Sequence, residues 1–232
     1  MSPVTSPDTP PVVQRPVRAA YLDAAEQAAR LLVHPPVAES WDDMSVLAGM
    51  TVGALAGHLA RSVLQVEWFL DGADGADRAD GTEVRPTSAV TYYARIVDAP
   101  DPGSALNRGV RARSEESAEA GPAAVADRTA ETLGRLRTRL PREPADRRVA
   151  ILHRPGEEML LDEYLRTRCV ELAVHTDDLA LSVGTGTRAP DAAAGVAVDL
   201  LVAAALERHG AHAVLRALTR RERDDVGALR VL

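Results

Sequence analysis

Apolar side chains recur at intervals of three and four along most of this 232-residue chain, the spacing that gathers them on one face of a helix. Residues 18–33 put Ala19, Leu22, Ala25, Ala29, Leu32 and Val33 on one side, and Pro35 and Pro36 end that run. A connection with Trp41 and the turn-like stretch SVLAGMT follows. Thr51 can cap a second helix, VGALAGHLARSVLQVEWFLDG, reaching about Asp71. Its stripe is Val52, Leu55, Leu59, Val63, Val66 and Leu70. Helices are predicted again over 88–98, 103–119 and 122–140. The period then breaks: RRVAIL and EMLL flank His153-Arg154-Pro155-Gly156, which reads as a short β-hairpin within 148–161. A helix over 162–183 comes directly after it. Beyond a Gly-rich break at 184–190, helices run over 191–208 and 212–221. Gly210 stands between these two as a C-cap, flanked by His209 and His212. The predicted class is all-α with one small hairpin.

The unpatterned stretches set the boundaries. Residues 1–16, MSPVTSPDTPPVVQRP, are rich in Pro, Ser and Thr and should form a disordered tail. Residues 72–86, GADGADRADGTEVRP, read as a flexible acidic loop, and the charge run RARSEESAEA as a solvated helix face. Residues 17–232 are then one domain, with a core over 18–185 and a helical extension over 186–232.

Composition sharpens this reading. Aromatic residues make up only 3%, so the core must be Ala, Leu and Val, which favours packed helices over a β-sandwich. All 27 basic residues are Arg, which points to a GC-rich genome. A net charge of −7 argues against nonspecific nucleic-acid binding. One cysteine excludes an internal disulfide framework. No apolar run reaches the ~18–20 residues of a membrane span, and no signal-peptide pattern is present. The expected location is the cytoplasm, and the expected state a monomer or homodimer.

Candidate chemistry gathers on the helix DEYLRTRCVELAVHTDDLALSV. At ~100° per residue, Leu161, Leu165, Leu172, Leu179 and Val183 fall within roughly 40° of one another. Tyr164, Arg168, Glu171, His175, Asp178 and Ser182 lie beside that stripe rather than opposite it. Glu171 and His175 are four residues apart, one turn above the other. Such a pair is either a helix-surface contact or two ligands of one cation. His58, on the flank of the second helix, is either a half-buried histidine or a third ligand. Arg168 could pair with a substrate carboxylate or with a neighbouring acid such as Asp162 or Glu171. Cys169 lies about 160° round the helix from Glu171, which suits a small buried apolar side chain. There is no H-E-x-x-H, no Gly-rich phosphate loop, no G-x-S-x-G and no C-x-x-C.

Met50-Thr51-Val52-Gly53-Ala54-Leu55-Ala56-Gly57-His58-Leu59-Ala60-Arg61 resembles the helix-2 signature of the DinB-like, mycothiol-dependent maleylpyruvate isomerase family. Glu171-Leu172-Ala173-Val174-His175-Thr176-Asp177-Asp178-Leu179-Ala180 resembles that family's second metal motif, E-x-x-x-H-x-x-D-L. Trp41 sits where such proteins carry a Trp before the second helix. The resemblance spans roughly residues 18–185. It implies a four-helix up-down-down-up bundle with a divalent metal, usually zinc, held by His58, Glu171 and His175. Asp178 would orient a ligand or a metal-bound water. The family uses a low-molecular-weight thiol, often mycothiol, to open an epoxide, isomerise a double bond or displace a leaving group. The partners implied are therefore a thiol and a small electrophile.

Two departures modify the expectation. The full isomerase carries a further C-terminal domain, whereas about 45 residues follow Gly184 here, room for two helices. A substrate other than maleylpyruvate is expected. The acidic residue that the family often carries a few positions before the helix-2 His is replaced by Gly53-Ala54, so that position does not supply outer support for His58. The reading is a metal- and thiol-dependent S-transferase or isomerase; the alternative is a non-catalytic metal-binding bundle with a regulatory or partner-binding role.

Overall fold

The computed structural model describes residues 16–74, 85–96, 103–151, 156–223 and 227–231. Its helices are α1 (Pro16–Leu32), α2 (Pro35–Glu39), α3 (Val52–Asp74), α4 (Ala89–Ala94), α5 (Ala105–Ala118), α6 (Gly121–Arg139), α7 (Leu161–Ser182), α8 (Asp191–His209) and α9 (Ala211–Thr219). Strands β1 (Arg148–Ala150) and β2 (Glu158–Leu160) pair antiparallel, with Val149 opposite Met159. The all-α class and the hairpin are as predicted; the residues 152–155 between its strands, with His153, lie outside the described residues, as does the predicted tail up to residue 15.

Long-range polar contacts give the helix directions. Arg18, near the start of α1, meets Asp162 at the start of α7 and the carbonyls of Leu140 and Glu143 just past the end of α6. Arg135 and Arg139, late in α6, pair with Glu67 and Asp71, late in α3. So α1 and α7 run one way and α3 and α6 the other, in up-down-down-up order. The stripes predicted for the second helix and for residues 161–183 are the seam: Val52, Leu55, Leu59, Val63, Val66, Leu70, Leu161, Leu165, Leu172 and Leu179 are all fully buried, and Val183 is half-buried against them. A second apolar cluster joins α4, α8, α9 and the chain end to Val170 on the far side of α7.

Several local expectations change. The buried face of α1 is centred on Tyr21, Ala24, Ala28 and Leu31, with Ala19 and Val33 exposed, about one residue round from the predicted face. The cause is Arg18 and Tyr21, which turn inward. Pro35 and Pro36 open α2 rather than merely ending α1, because proline suits the first helical turn. Helix α3 runs through Asp74, past the start of the acidic loop predicted over 72–86; residues 75–84 of that loop lie outside the described residues. Helix α4 ends at Ala94, short of the predicted 98. The caps hold as read: Thr51 Oγ1 accepts from the Ala54 amide at 3.1 Å, and Gly210, at φ 80°, ends α8. Among the described residues, no helix is long and apolar enough to cross a membrane.

Arg18 is the tie at the closed end of the bundle. It is 3% exposed, and its guanidinium donates to Asp162 Oδ1 at 2.6 Å, to the Leu140 and Glu143 carbonyls at 2.6 Å each and to the Pro144 carbonyl at 3.0 Å. Removing it strips several buried acceptors of their donor at once. Arg18→Met should destabilise the fold by about 3 kcal/mol, read from the urea midpoint; a loss below about 1 kcal/mol would show that water replaces the guanidinium.

Candidate metal centre

At the opposite end, His58 from α3 meets Glu171 and His175 from α7. His58 Nε2 lies 3.2 Å from Glu171 Oε2, and His175 Nε2 lies 3.5 Å from the same oxygen. The three donor atoms are all within 4.8 Å of one another. The two imidazole rings stand edge to face, centroids 4.5 Å apart. All three side chains are half-buried. The structure thus brings the candidate ligands together, and the Glu171–His175 pair faces His58 rather than open water.

These residues fit a divalent cation. Two nitrogens and one carboxylate oxygen are the donor set of an open zinc site. Bonds of ~2.0–2.1 Å in a tetrahedron would leave ligand atoms roughly 3.3–3.4 Å apart, and the gaps of 3.2 and 3.5 Å to Glu171 Oε2 bracket that value.

The atoms of each candidate ligand that face away from the other two are also engaged. His175 Nδ1 lies 3.0 Å from Asp178 Oδ2, so its Nδ1–H donates to the carboxylate. His58 Nδ1 lies 3.2 Å from Ser114 Oγ on α5. That hydroxyl spends its proton on the Val110 carbonyl at 2.8 Å. It therefore accepts from His58 Nδ1–H whenever a cation takes Nε2. Tyr93 of α4 donates its hydroxyl to Glu171 Oε1 at 3.0 Å. Arg168 Nη2 is 3.9 Å from that oxygen, too far for a hydrogen bond but close enough to act by charge. Arg168 is itself buried, bonded to Gln65 and Thr167 and set over the Tyr164 ring. Asp162 is taken by Arg18 and is not its partner.

Sequence reasoning missed Ser114 and Tyr93. Ser114 is hidden in RARSEESAEA, where a solvated face was expected, yet it is fully buried. Its approach depends on Gly57: a Cβ there would stand 2.5 Å from the Ser114 carbonyl and 3.1 Å from the Ala118 amide nitrogen. Gly53 likewise makes room for the Trp41 indole, 2.7 Å from where its Cβ would be. The Gly53-Ala54 departure thus has a packing reason, and support for His58 comes from α5 instead. Cys169 is fully buried, as expected, and burial pushes its thiol up to about 12.

The charges are set by these contacts. Burial and the neighbouring His175 hold His58 below its ordinary value, so it is neutral at pH 7. Burial works against a charged His175 as well, but hydrogen bonds with Asp178 and Glu171 outweigh it and carry the imidazole up to about 9. Glu171 would be raised by burial; the two histidines and Arg168 hold its carboxyl well below the usual range. Burial, then the charge of Glu171, pushes the Tyr93 hydroxyl well above its usual value, so it remains a donor.

At neutral pH, then, a cation must displace one proton from His175 before that nitrogen can bind it. Apparent zinc affinity should rise about tenfold per pH unit from 7 and level off above about 9, measured by competition with a chromophoric chelator. A flat profile removes His175 from the ligand set. Ser114→Ala should weaken zinc by about tenfold with the helix content unchanged; equal affinity would show that Ser114 leaves the imidazole free.

No curated protein and no solved structure matches the chain. A family model does match, that of the mycothiol maleylpyruvate isomerase N-terminal domain, over residues 22–180. The match contains all three converging candidate ligands, Asp178, and the two helices that supply Ser114 and Tyr93. On this match and the bundle that carries it, the chain belongs to the mycothiol maleylpyruvate isomerase N-terminal domain family.

Proposed function

We propose that the chain is a metal-dependent enzyme, an S-transferase or isomerase that joins a low-molecular-weight thiol such as mycothiol to a small electrophile. The observation that carries this reading is the convergence of His58 Nε2, Glu171 Oε2 and His175 Nε2 within 4.8 Å of one another. Zinc suits two neutral nitrogens and one carboxylate, a set that leaves one position open. When bound, the cation lowers the pKa of a thiol in that position, so that the thiol is held as the nucleophilic thiolate.

The protein's own groups do the rest. His58 and His175 donate as neutral imidazoles, and Glu171 brings one negative charge. Asp178 accepts the Nδ1–H of His175 and keeps its Nε2 turned inward. Arg168 is buried and bonded on two sides, which suits a role in keeping Glu171 ionised better than direct capture of a substrate carboxylate. Glu171, His58 and His175 orient the thiol, and the surrounding helices bring the electrophile to it. The cytoplasm, where small thiols stay reduced, is the compartment this chemistry requires.

The second reading is a bundle that holds metal for a regulatory or partner-binding role. Calorimetry separates the readings. Mycothiol titrated into zinc-loaded protein near pH 7, in buffers of different ionisation enthalpy, should release about one proton and give no binding heat in metal-free protein or in His175→Ala. Glu171→Gln should weaken zinc binding itself. Equal thiol affinity with and without metal would leave the non-catalytic reading.

A further inference from the structure

Helix α4 has six residues, too few to persist without neighbours. At its N-terminus, Ser88 Oγ accepts from the Thr91 amide at 3.1 Å, and Glu163 Oε2 of α7 accepts from the Ala89 amide at 2.8 Å. Its C-terminus is held by one side chain from α8. Arg208 Nη2 donates to the Tyr93 carbonyl at 2.5 Å and the Ile96 carbonyl at 2.8 Å, and Nε to the Ala94 carbonyl at 3.2 Å. Its Nη1 donates to the Val231 carbonyl at 3.2 Å. A single planar fork therefore ties together three carbonyls at and just past the end of α4 and pins the last described stretch of chain beside them.

Tyr93 sits between those two anchors. Its ring is 1% exposed, and its hydroxyl reaches Glu171 Oε1 at 3.0 Å, with the Thr167 carbonyl at 3.4 Å. A glutamate carboxylate turns easily about its last bond. With Oε1 tied to Tyr93, Oε2 is left facing the two histidines. Thr91 adds a weaker link from α4 to Glu207 Oε2 on α8, at 3.4 Å.

We infer that Arg208 is a positioning residue of the metal centre, acting through the end of α4 and the Tyr93 hydroxyl on Glu171. The inference rests on the metal-binding reading above. It gives the C-terminal helices a task in the site although Arg208 lies outside residues 22–180, the stretch matched to the family. The hydrogen bonds of Arg208 all go to backbone carbonyls, so it carries no part of the chemistry.

The test is a double-mutant cycle on the full chain, read as zinc affinity by chelator competition, with circular dichroism as the check on fold. Tyr93→Phe and Arg208→Gln should each weaken zinc about tenfold, and the double variant no further than either single one. Additive losses, or unchanged affinity in either single variant, overturn the inference, because a general loosening of the fold would add to the loss of the hydroxyl. If Arg208→Gln melts below the assay temperature, Arg208→Lys replaces it, keeping the charge but not the fork. A second readout needs no metal: the Tyr93 13Cζ signal of the metal-free protein should shift in Arg208→Gln. Wild-type protein that takes up no zinc would sink the metal reading alone. The hold of Arg208 on Tyr93 is then decided by that signal, a shift supporting it and an unmoved signal overturning it.

Discussion

Two imidazoles and a carboxylate, each well hydrated in an unfolded chain, are held half-buried at one end of this bundle with their donor atoms within 4.8 Å. Burying polar groups this closely is costly unless every one has a partner. The backbone arrangement makes the meeting possible. Because α3 and α7 run in opposite directions, the first third of one lies beside the second half of the other, and His58 faces Glu171 and His175. The opposite end is closed by Arg18, whose contacts with α6 and α7 fix how those helices sit against α1.

Partners for the outward-facing atoms come from three elements. Asp178 serves His175 from within α7. Ser114 serves His58 from α5, which reaches it only because residue 57 is glycine. Tyr93 serves Glu171 from α4. In each case the engaged atom is the one facing away from the other two ligands, and the remaining donor is turned inward. Hydrogen bonds of this kind set tautomer and orientation around metals generally. They also make the charge state legible: Glu171 ionised, His58 neutral, and His175 lifted by its carboxylate neighbours.

What the sequence revealed follows from how local each signal is. The seams of α3 and α7 were plain, since their apolar residues keep a strict helical period and all lie buried. Glu171 and His175 stood out because four residues separate them on one helix. His58 read alone as either a half-buried histidine or a third ligand, and the family resemblance singled it out, because its neighbours in sequence do not mark it. The face of α1 was misjudged because Arg18 reads as a surface charge until the carbonyls past the end of α6, more than a hundred residues away, are brought to it. Ser114 lay in a run of charges. Its faint signal was a small residue four before Ala118, matching Gly57 as a close-approach pair. Nothing local marked Tyr93, which depends on α4 being held at both ends by other helices.

The division of labour has a consequence for what the site could select. The candidate ligands belong to the bundle helices, while two of their three outer contacts belong to the segment between α3 and α6. Neither Ser114 nor Tyr93 points its polar atom at the space between the three donors; each grips the back of a ligand. The donor set can therefore stay fixed while residues elsewhere around the opening change. In the proposed enzyme, thiol activation depends on these few buried hydrogen bonds, and discrimination among electrophiles depends on side chains that touch none of them. Two proteins that share these three candidate ligands could then act on different substrates.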